Sequence, residues 1–431
     1  MPSTLKNVAL GLLLLPCSLL IGQIKPKAKP ANVKVQSVLP GANQLALYLP
    51  LIKGKSVGIF ANQTSMVGNT HLVDTLQKLG ISIKKIFSPE HGFRGNADAG
   101  EHVTSSIDPT TGIPIISLYG EHRKPTADDL KDVDMMIFDI QDVGLRYYTF
   151  ISSLQEYMEA AITFNKPLIV LDRPNPNGFY VDGPVLEEGF QSFVGMQKVP
   201  IVYGMTMGEY AKMLLGEKWL NRELYAFVDE PIHQKDLMGD ANVTVIPCKN
   251  YDHTSYYELP IKPSPNLPNI QSVLLYSSIC FFEGTDVSLG RGTDKPFQVY
   301  GHPTFPDTLF SFTPVSTPGA KNPPLKDKLC YGYDLSTTTI DIKKKANKQI
   351  NLSYILNAYK LFPNKDSFFL RPKKGNPATS DYFFNKLAGT DKLMWQIMNY
   401  KSEAEIRKSW LPGLTAFKKI RKKYLLYRDF E

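Results

Sequence analysis

Glu90 lies in the run Ser88-Pro89-Glu90-His91-Gly92-Phe93-Arg94-Gly95, which sets a carboxylate, an imidazole and a guanidinium beside two glycines. The run directly follows an apolar, strand-like stretch, Ile81–Phe87. Four more polar clusters follow apolar stretches in the same way: Asn62-Gln63-Thr64, Tyr119-Gly120-Glu121-His122, Asp139-Ile140-Gln141-Asp142 and Asp172-Arg173-Pro174-Asn175-Pro176. Parallel strands bring their carboxyl ends to one edge, where open α/β sheets bind ligands. The five clusters are therefore expected to converge on one cleft. Part of this polarity has a plainer origin, because loops after strands are polar and Asp and Asn cap helices. Asp139 and Asp142 can serve as caps or as partners of Arg146, and Glu90 can pair with Arg94 or Arg173.

The chemistry on offer is that of carboxylates. No Gly-rich phosphate loop follows the first strand, and Gly290-Arg291-Gly292 lacks a strand-turn-helix setting, so no nucleotide cofactor is expected. A G-x-S-x-G elbow is absent, which counts against a serine nucleophile. Neither H-E-x-x-H nor paired cysteines occur, and the neighbours in Glu90-His91 and Glu121-His122 point apart on a strand, so no metal is expected. Glu90, Asp139 and Asp142 remain as candidate catalytic acids, with His91 as an orienting partner. Two acids in one cleft but in different surroundings can divide proton donation from charge stabilisation.

The elements that must position these groups read as α/β. Ser56–Ala61, Ile81–Phe87, Ile113–Leu118, Met135–Ile140 and Lys166–Leu171 are short, continuously apolar strands separated by amphipathic helices. That pattern predicts a parallel sheet covered on both faces. Asn69 or Thr70 is placed to cap one helix, Thr206 another, and Val243–Pro247 reads as a further strand. Pro260–Pro268 packs four prolines into nine residues and marks the expected domain boundary. Residues 45–262 are thus assigned to the sheet domain and 263–431 to a smaller α+β domain.

At 431 residues, with 43% apolar and 21% charged content, the chain can bury a substantial core. Its net charge of +8 comes from scattered lysines without interleaved aromatics, which argues against nucleic acid as a partner. Lys6 and the apolar run Val8–Ile21 resemble an export signal over residues 1–23 and are too short for a membrane span. Residues 24–44 read as a linker. Secreted or periplasmic placement follows; lipidation at Cys17 is disfavoured by Pro16. Cys248, Cys280 and Cys330 are spaced as buried free thiols rather than a disulfide framework.

SPEHGFRG (Ser88–Gly95), DIQDVGLRYYT (Asp139–Thr149), LDRPNPNG (Leu171–Gly178) and FEGTDVSLGRGTDKPF (Phe282–Phe297) together resemble the NamZ-type exo-β-N-acetylmuramidases, in order, over residues 45 to 431. The resemblance implies a Rossmann-like domain, a smaller C-terminal domain and an active site between them. It implies release of terminal N-acetylmuramic acid from peptidoglycan-derived saccharides, with Glu90 catalytic. The sugar's lactyl carboxylate calls for a cation, for which Arg94, Arg146, Arg173 and Arg291 are candidates. Tyr147 and Tyr148 can stack on a sugar, and Asn62, Gln141, Asp172, Asn175 and Glu283 complete the expected binding set. The 283–295 loop is expected to wall the pocket. A metal-dependent wall amidase or esterase and a non-catalytic glycan binder are the competing readings.

Overall fold

Seven strands lie side by side in the order Val243–Ile246, Leu168–Leu171, Met135–Asp139, Ser56–Ala61, Ser82–Ser88, Pro114–Ser117, Ser106–Ile107. All neighbours run parallel except the last pair. Counted along the chain, the six parallel strands are ordered 3-2-1-4-5-6. This is the Rossmann order, with its switch point between the first and fourth strands. The computed structural model describes residues 37–90, 92–94, 105–221, 243–337 and 348–431. The expected export signal and most of the linker lie outside these residues. Among the described residues, no helix is long and apolar enough to cross a membrane.

The strands alternate their side chains between two cores, as the pleat requires. Phe60, Met136 and Phe138 face one core, whereas Val57, Ile59 and Ile137 face the other beneath Leu72, Val73 and Leu76. Helix Met207–Gly216 starts at Thr206, whose side chain and that of Glu209 cap each other's backbone N–H. The helix expected to start at Asn69 or Thr70 instead spans Leu72–Lys78. Thr70 and His71 pair with Met66–Val67, and His71 Nδ1 accepts from the Val73 amide at 3.2 Å, so an imidazole does the capping.

Part of the expected linker is packed. The Gly41 amide donates to the Asp172 carbonyl at 2.7 Å, Leu39 bridges to Lys249, and Ala42 is fully buried. No side chain is tolerated at Gly41, where a Cβ would fall 2.2 Å from the Ile246 carbonyl oxygen. Residues 38–44 are therefore part of the fold, and helix Leu45–Ile52 follows them.

Beyond the prolines, helix Ile270–Ile279 is buried along nearly its whole length and tightens into a 3-10 turn over Cys280–Gly284. A three-stranded antiparallel sheet, ordered Val299–His302, Cys330–Asp334, Phe310–Phe312, accompanies the later helices. The C-terminal helix Glu403–Arg421 returns to the first half, where Arg421 Nε donates to the Gly204 carbonyl at 2.9 Å. Arg146 fastens the halves from within. Its guanidinium donates to the Pro184 and Val199 carbonyls and, at 2.9 Å, to that of Leu387. One apolar cluster accordingly runs from Phe60 to Tyr424, and Val38–Glu431 packs as one unit. Cys248, Cys280 and Cys330 are buried free thiols.

The chain turns from the fourth strand toward its helix at Gly144, with φ of 78°. A Cβ there would lie 2.1 Å from Asn175 Oδ1. Gly144→Ala is expected to lose about 3 kcal/mol or more, from left-handed strain plus overpacking. Chemical denaturation would register this as a lower midpoint; an unchanged midpoint would show that the loop relaxes freely.

Candidate active site

Glu90 stands just beyond the second strand, where the Gly92 amide closes a turn onto the Pro89 carbonyl at 3.0 Å and Gly92 takes a φ of 75°. Two hydroxyls from neighbouring loops fix the Glu90 carboxyl: Tyr119 Oη donates to Oε1 at 3.0 Å and Thr149 Oγ1 to Oε2 at 3.3 Å. Tyr119 follows the adjacent strand, held in register by the Leu118 amide on the Ser88 carbonyl at 2.9 Å. Burial and the neighbouring Glu90 push the Tyr119 hydroxyl well above its usual pKa, against the pull of Arg123. Tyr119 therefore keeps its proton and serves as a steady hydrogen-bond donor to the Glu90 carboxyl.

This carboxyl lines a cavity of about 360 Å³, a size typical of small-molecule pockets. One wall comes from the first half: Glu90, Tyr119, Arg123 and Tyr147–Thr149, with Phe193 and Val194. The rest of the lining comes from the second half: Tyr276, Cys280, Glu283, Arg291 and Phe297, with Phe383 and Leu387. Tyr147 and Tyr148 lend ring surface to the cavity. Their hydroxyls are spent on backbone carbonyls, Tyr147 on Tyr276 and Ser277 at 3.0 and 2.9 Å, Tyr148 on Pro263 at 2.8 Å. Glu283 accepts from Arg291 Nε at 3.1 Å and from its Nη2, and Arg291 also lies 4.9 Å over the Phe297 ring. This ion pair is also part of the lining of a second cavity, about 640 Å³, bounded by Thr285, Asp286 and Lys321 among others. Of the 283–295 loop, Glu283 and Arg291 line the Glu90 cavity.

The remaining candidates are elsewhere. Asp139 is fully buried and gripped in two places by Arg173, from Nε at 2.6 Å and Nη2 at 2.9 Å. Gln141 donates to the Asp142 and Pro174 carbonyls, Asn62 accepts from Thr64, and Asn175 donates to the Met205 carbonyl. Asp172 receives Gly208 N, Thr206 Oγ1 and Tyr427 Oη. Together these groups fill the edge at the first, fourth and fifth strands. They do not line the Glu90 cavity, so the expectation that all five clusters open onto one cleft is corrected: three of them satisfy one another. Arg94 is turned onto Asp108, with two contacts at 2.9 Å, and Arg146 is enclosed by carbonyls. His91 lies outside the described residues. Thr149, Arg123 and the donor role of Tyr119 are absent from the sequence-derived candidates, because only tertiary packing brings them to the cavity. Among the described residues, no three His, Cys, Asp or Glu side chains gather as metal ligands.

Asp142 is enclosed as well. Its Oδ2 accepts from the Gly144 amide at 2.5 Å and from Tyr203 Oη, and the whole carboxyl is buried. Burial raises its pKa to about 6 from 3.8. A raised carboxyl favours the folded state while protonated, so its stabilisation is complete below 3.8 and is lost as pH rises through about 6. Asp142→Asn should flatten the fall in melting temperature across this window. A slope identical to that of the parent would contradict the assignment.

Family profiles described as Exo-beta-N-acetylmuramidase NamZ, N-terminal and C-terminal, match residues 57–271 and 274–427. Peptidoglycan beta-N-acetylmuramidase NamZ of Bacillus subtilis (strain 168) is 36% identical over 423 residues, covering 93% of this chain and 94% of that protein. Two solved DUF1343-family proteins from Bacteroides fragilis NCTC 9343 share the fold. One has a TM-score of 0.78 at 47% identity, covering 91% of this chain and 100% of its own. The other has a TM-score of 0.72 at 27% identity, covering 91% and 99%. With both profiles matched in sequence and the SPEHGFRG glutamate lining a cavity between the matched regions, the chain belongs to the exo-β-N-acetylmuramidase NamZ family of glycoside hydrolases.

Proposed function

We propose that this protein removes N-acetylmuramic acid from the non-reducing end of peptidoglycan fragments, with Glu90 as the acid that protonates the departing glycosidic oxygen. The observation that carries the reading is the placement of the Glu90 carboxyl, held by two hydroxyls on the wall of a cavity sized for a small sugar. A fixed carboxyl is what general acid catalysis needs, because proton transfer works only within hydrogen-bond reach of the leaving atom. Tyr119 and Thr149 set its plane and leave few orientations to be lost at the transition state.

Among the described residues, Glu283 is the other carboxylate lining the cavity, and Arg291 holds it in place. In this reading it replaces Asp139 and Asp142 as the group that meets positive charge developing at the anomeric carbon. The aromatic wall supplied by Tyr276 and Phe297 and the rim residue Phe383 shield the reacting centre from water. A cavity walled from both halves admits a chain end more readily than a chain interior, which favours release of terminal residues. The apolar run near the N-terminus supports export, which would bring the enzyme to a substrate outside the cytoplasm.

Glu90→Gln keeps the size and hydrogen-bonding capacity of the side chain while removing the acid. Hydrolysis of a chromogenic β-N-acetylmuramic acid glycoside should fall roughly 10²- to 10⁴-fold in kcat, with KM little changed. The parent should leave the N-acetylglucosamine counterpart almost untouched and should keep full activity after exhaustive chelation. Undiminished turnover in Glu90→Gln would remove the catalytic assignment, and loss of activity on chelation would favour a metal-dependent hydrolase.

A further inference from the structure

We propose that Arg123 forms an anion subsite beside Glu90 and binds the 3-O-lactyl carboxylate of the terminal sugar. The inference rests on reading the Glu90 cavity as a muramidase site. Among the described residues, two arginines line that cavity, Arg123 and Arg291. Arg291 is already neutralised by Glu283 at their shared wall. The other arginines first suggested by sequence are committed too: Arg94 to Asp108, Arg173 to Asp139, and Arg146 to three backbone carbonyls. Arg123 differs from all of them. Its Nε donates to the Gly120 carbonyl at 2.8 Å and its guanidinium lies 4.4 Å over the Phe193 ring. Among the described residues no carboxylate pairs with it.

One N–H and one π face hold the Arg123 guanidinium in place, and its two terminal nitrogens remain available to a ligand. A planar fork of this kind matches a carboxylate in two places, and stacking on Phe193 lowers the entropy lost on binding. Position agrees with chemistry. The lactyl ether sits on the same sugar ring as the bond being broken, so its carboxylate must lie within about one ring of the acid. Arg123 belongs to the same short loop as Tyr119, which donates to Glu90, and its charge is felt at the Tyr119 hydroxyl. One loop after the third parallel strand thus orients the acid and recognises the anion. N-acetylglucosamine has no such carboxylate, and its complex would leave Arg123 unanswered, which gives the site a basis for discrimination.

The test compares the parent with Arg123→Gln and Arg123→Lys on the chromogenic N-acetylmuramic acid glycoside. Product inhibition is measured with free N-acetylmuramic acid and with its lactyl methylamide. Arg123→Gln should raise KM about 10- to 100-fold, as expected for loss of a charge-assisted pair, with kcat changed by no more than a few-fold. The parent should bind the acid more tightly than the amide, the Gln variant should bind the two alike, and the Lys variant should fall between. An unchanged KM, a loss confined to kcat, or a retained preference for the acid would each overturn the assignment. Failure of the parent to hydrolyse the glycoside at all would instead defeat the muramidase reading, and Arg123 with it.

Discussion

The buried fork between Asp139 and Arg173 governs where this sheet can hold a ligand. It lies at the carboxyl edge beside the switch point, between strands Ser56–Ala61 and Met135–Asp139, and both side chains are almost completely shielded from solvent. Charges in such a place are tolerated only as a well-formed pair, and stripping one partner costs about 3–5 kcal/mol. Arg173 also reaches the Met66 carbonyl at 3.1 Å, and Ser65 donates to the Asp139 carbonyl, so the loop after the first strand is drawn over the crevice. The position where doubly wound sheets ordinarily bind their ligands is therefore filled with protein. A cavity opens instead to one side, over the second and third strands, against the second half of the chain.

That displacement sorts the acids. Asp139, Asp142 and Asp172 are enclosed and answered by an arginine, a tyrosine, or a cap and the returning C-terminal tail. They set the shape of the sheet edge. Among the described residues, Glu90 and Glu283 are the carboxylates facing the cavity, one held by hydroxyls and the other by a guanidinium. The same residue type thus serves structure or chemistry according to what the fold brings beside it.

Much of the sheet was legible because it is encoded locally. Continuous apolar runs located the parallel strands to within a residue or two at most ends, and Thr206 announced a helix start. His71 was missed as a cap because an imidazole accepting from an amide has no strong sequence signature. The packing of residues 38–44 was missed because a Lys- and Pro-rich segment precedes them and hides the contact between Gly41 and Asp172. At the site, Glu90, Tyr147, Glu283 and Arg291 were all legible as candidates, but their partners were not. Whether an aspartate is paired with an arginine 34 residues away is a tertiary fact. The Arg123 environment likewise depends on Phe193, which belongs to a loop no local pattern connects to it.

The most direct test is a structure of the Glu90→Gln protein with a bound disaccharide carrying N-acetylmuramic acid at its non-reducing end. The account predicts the sugar between Tyr119 and the Glu283–Arg291 wall, its glycosidic oxygen within about 3 Å of the substituted side chain. A ligand seated instead at the edge occupied by Asn62, Asp139 and Arg173, with that fork broken to admit it, would contradict it.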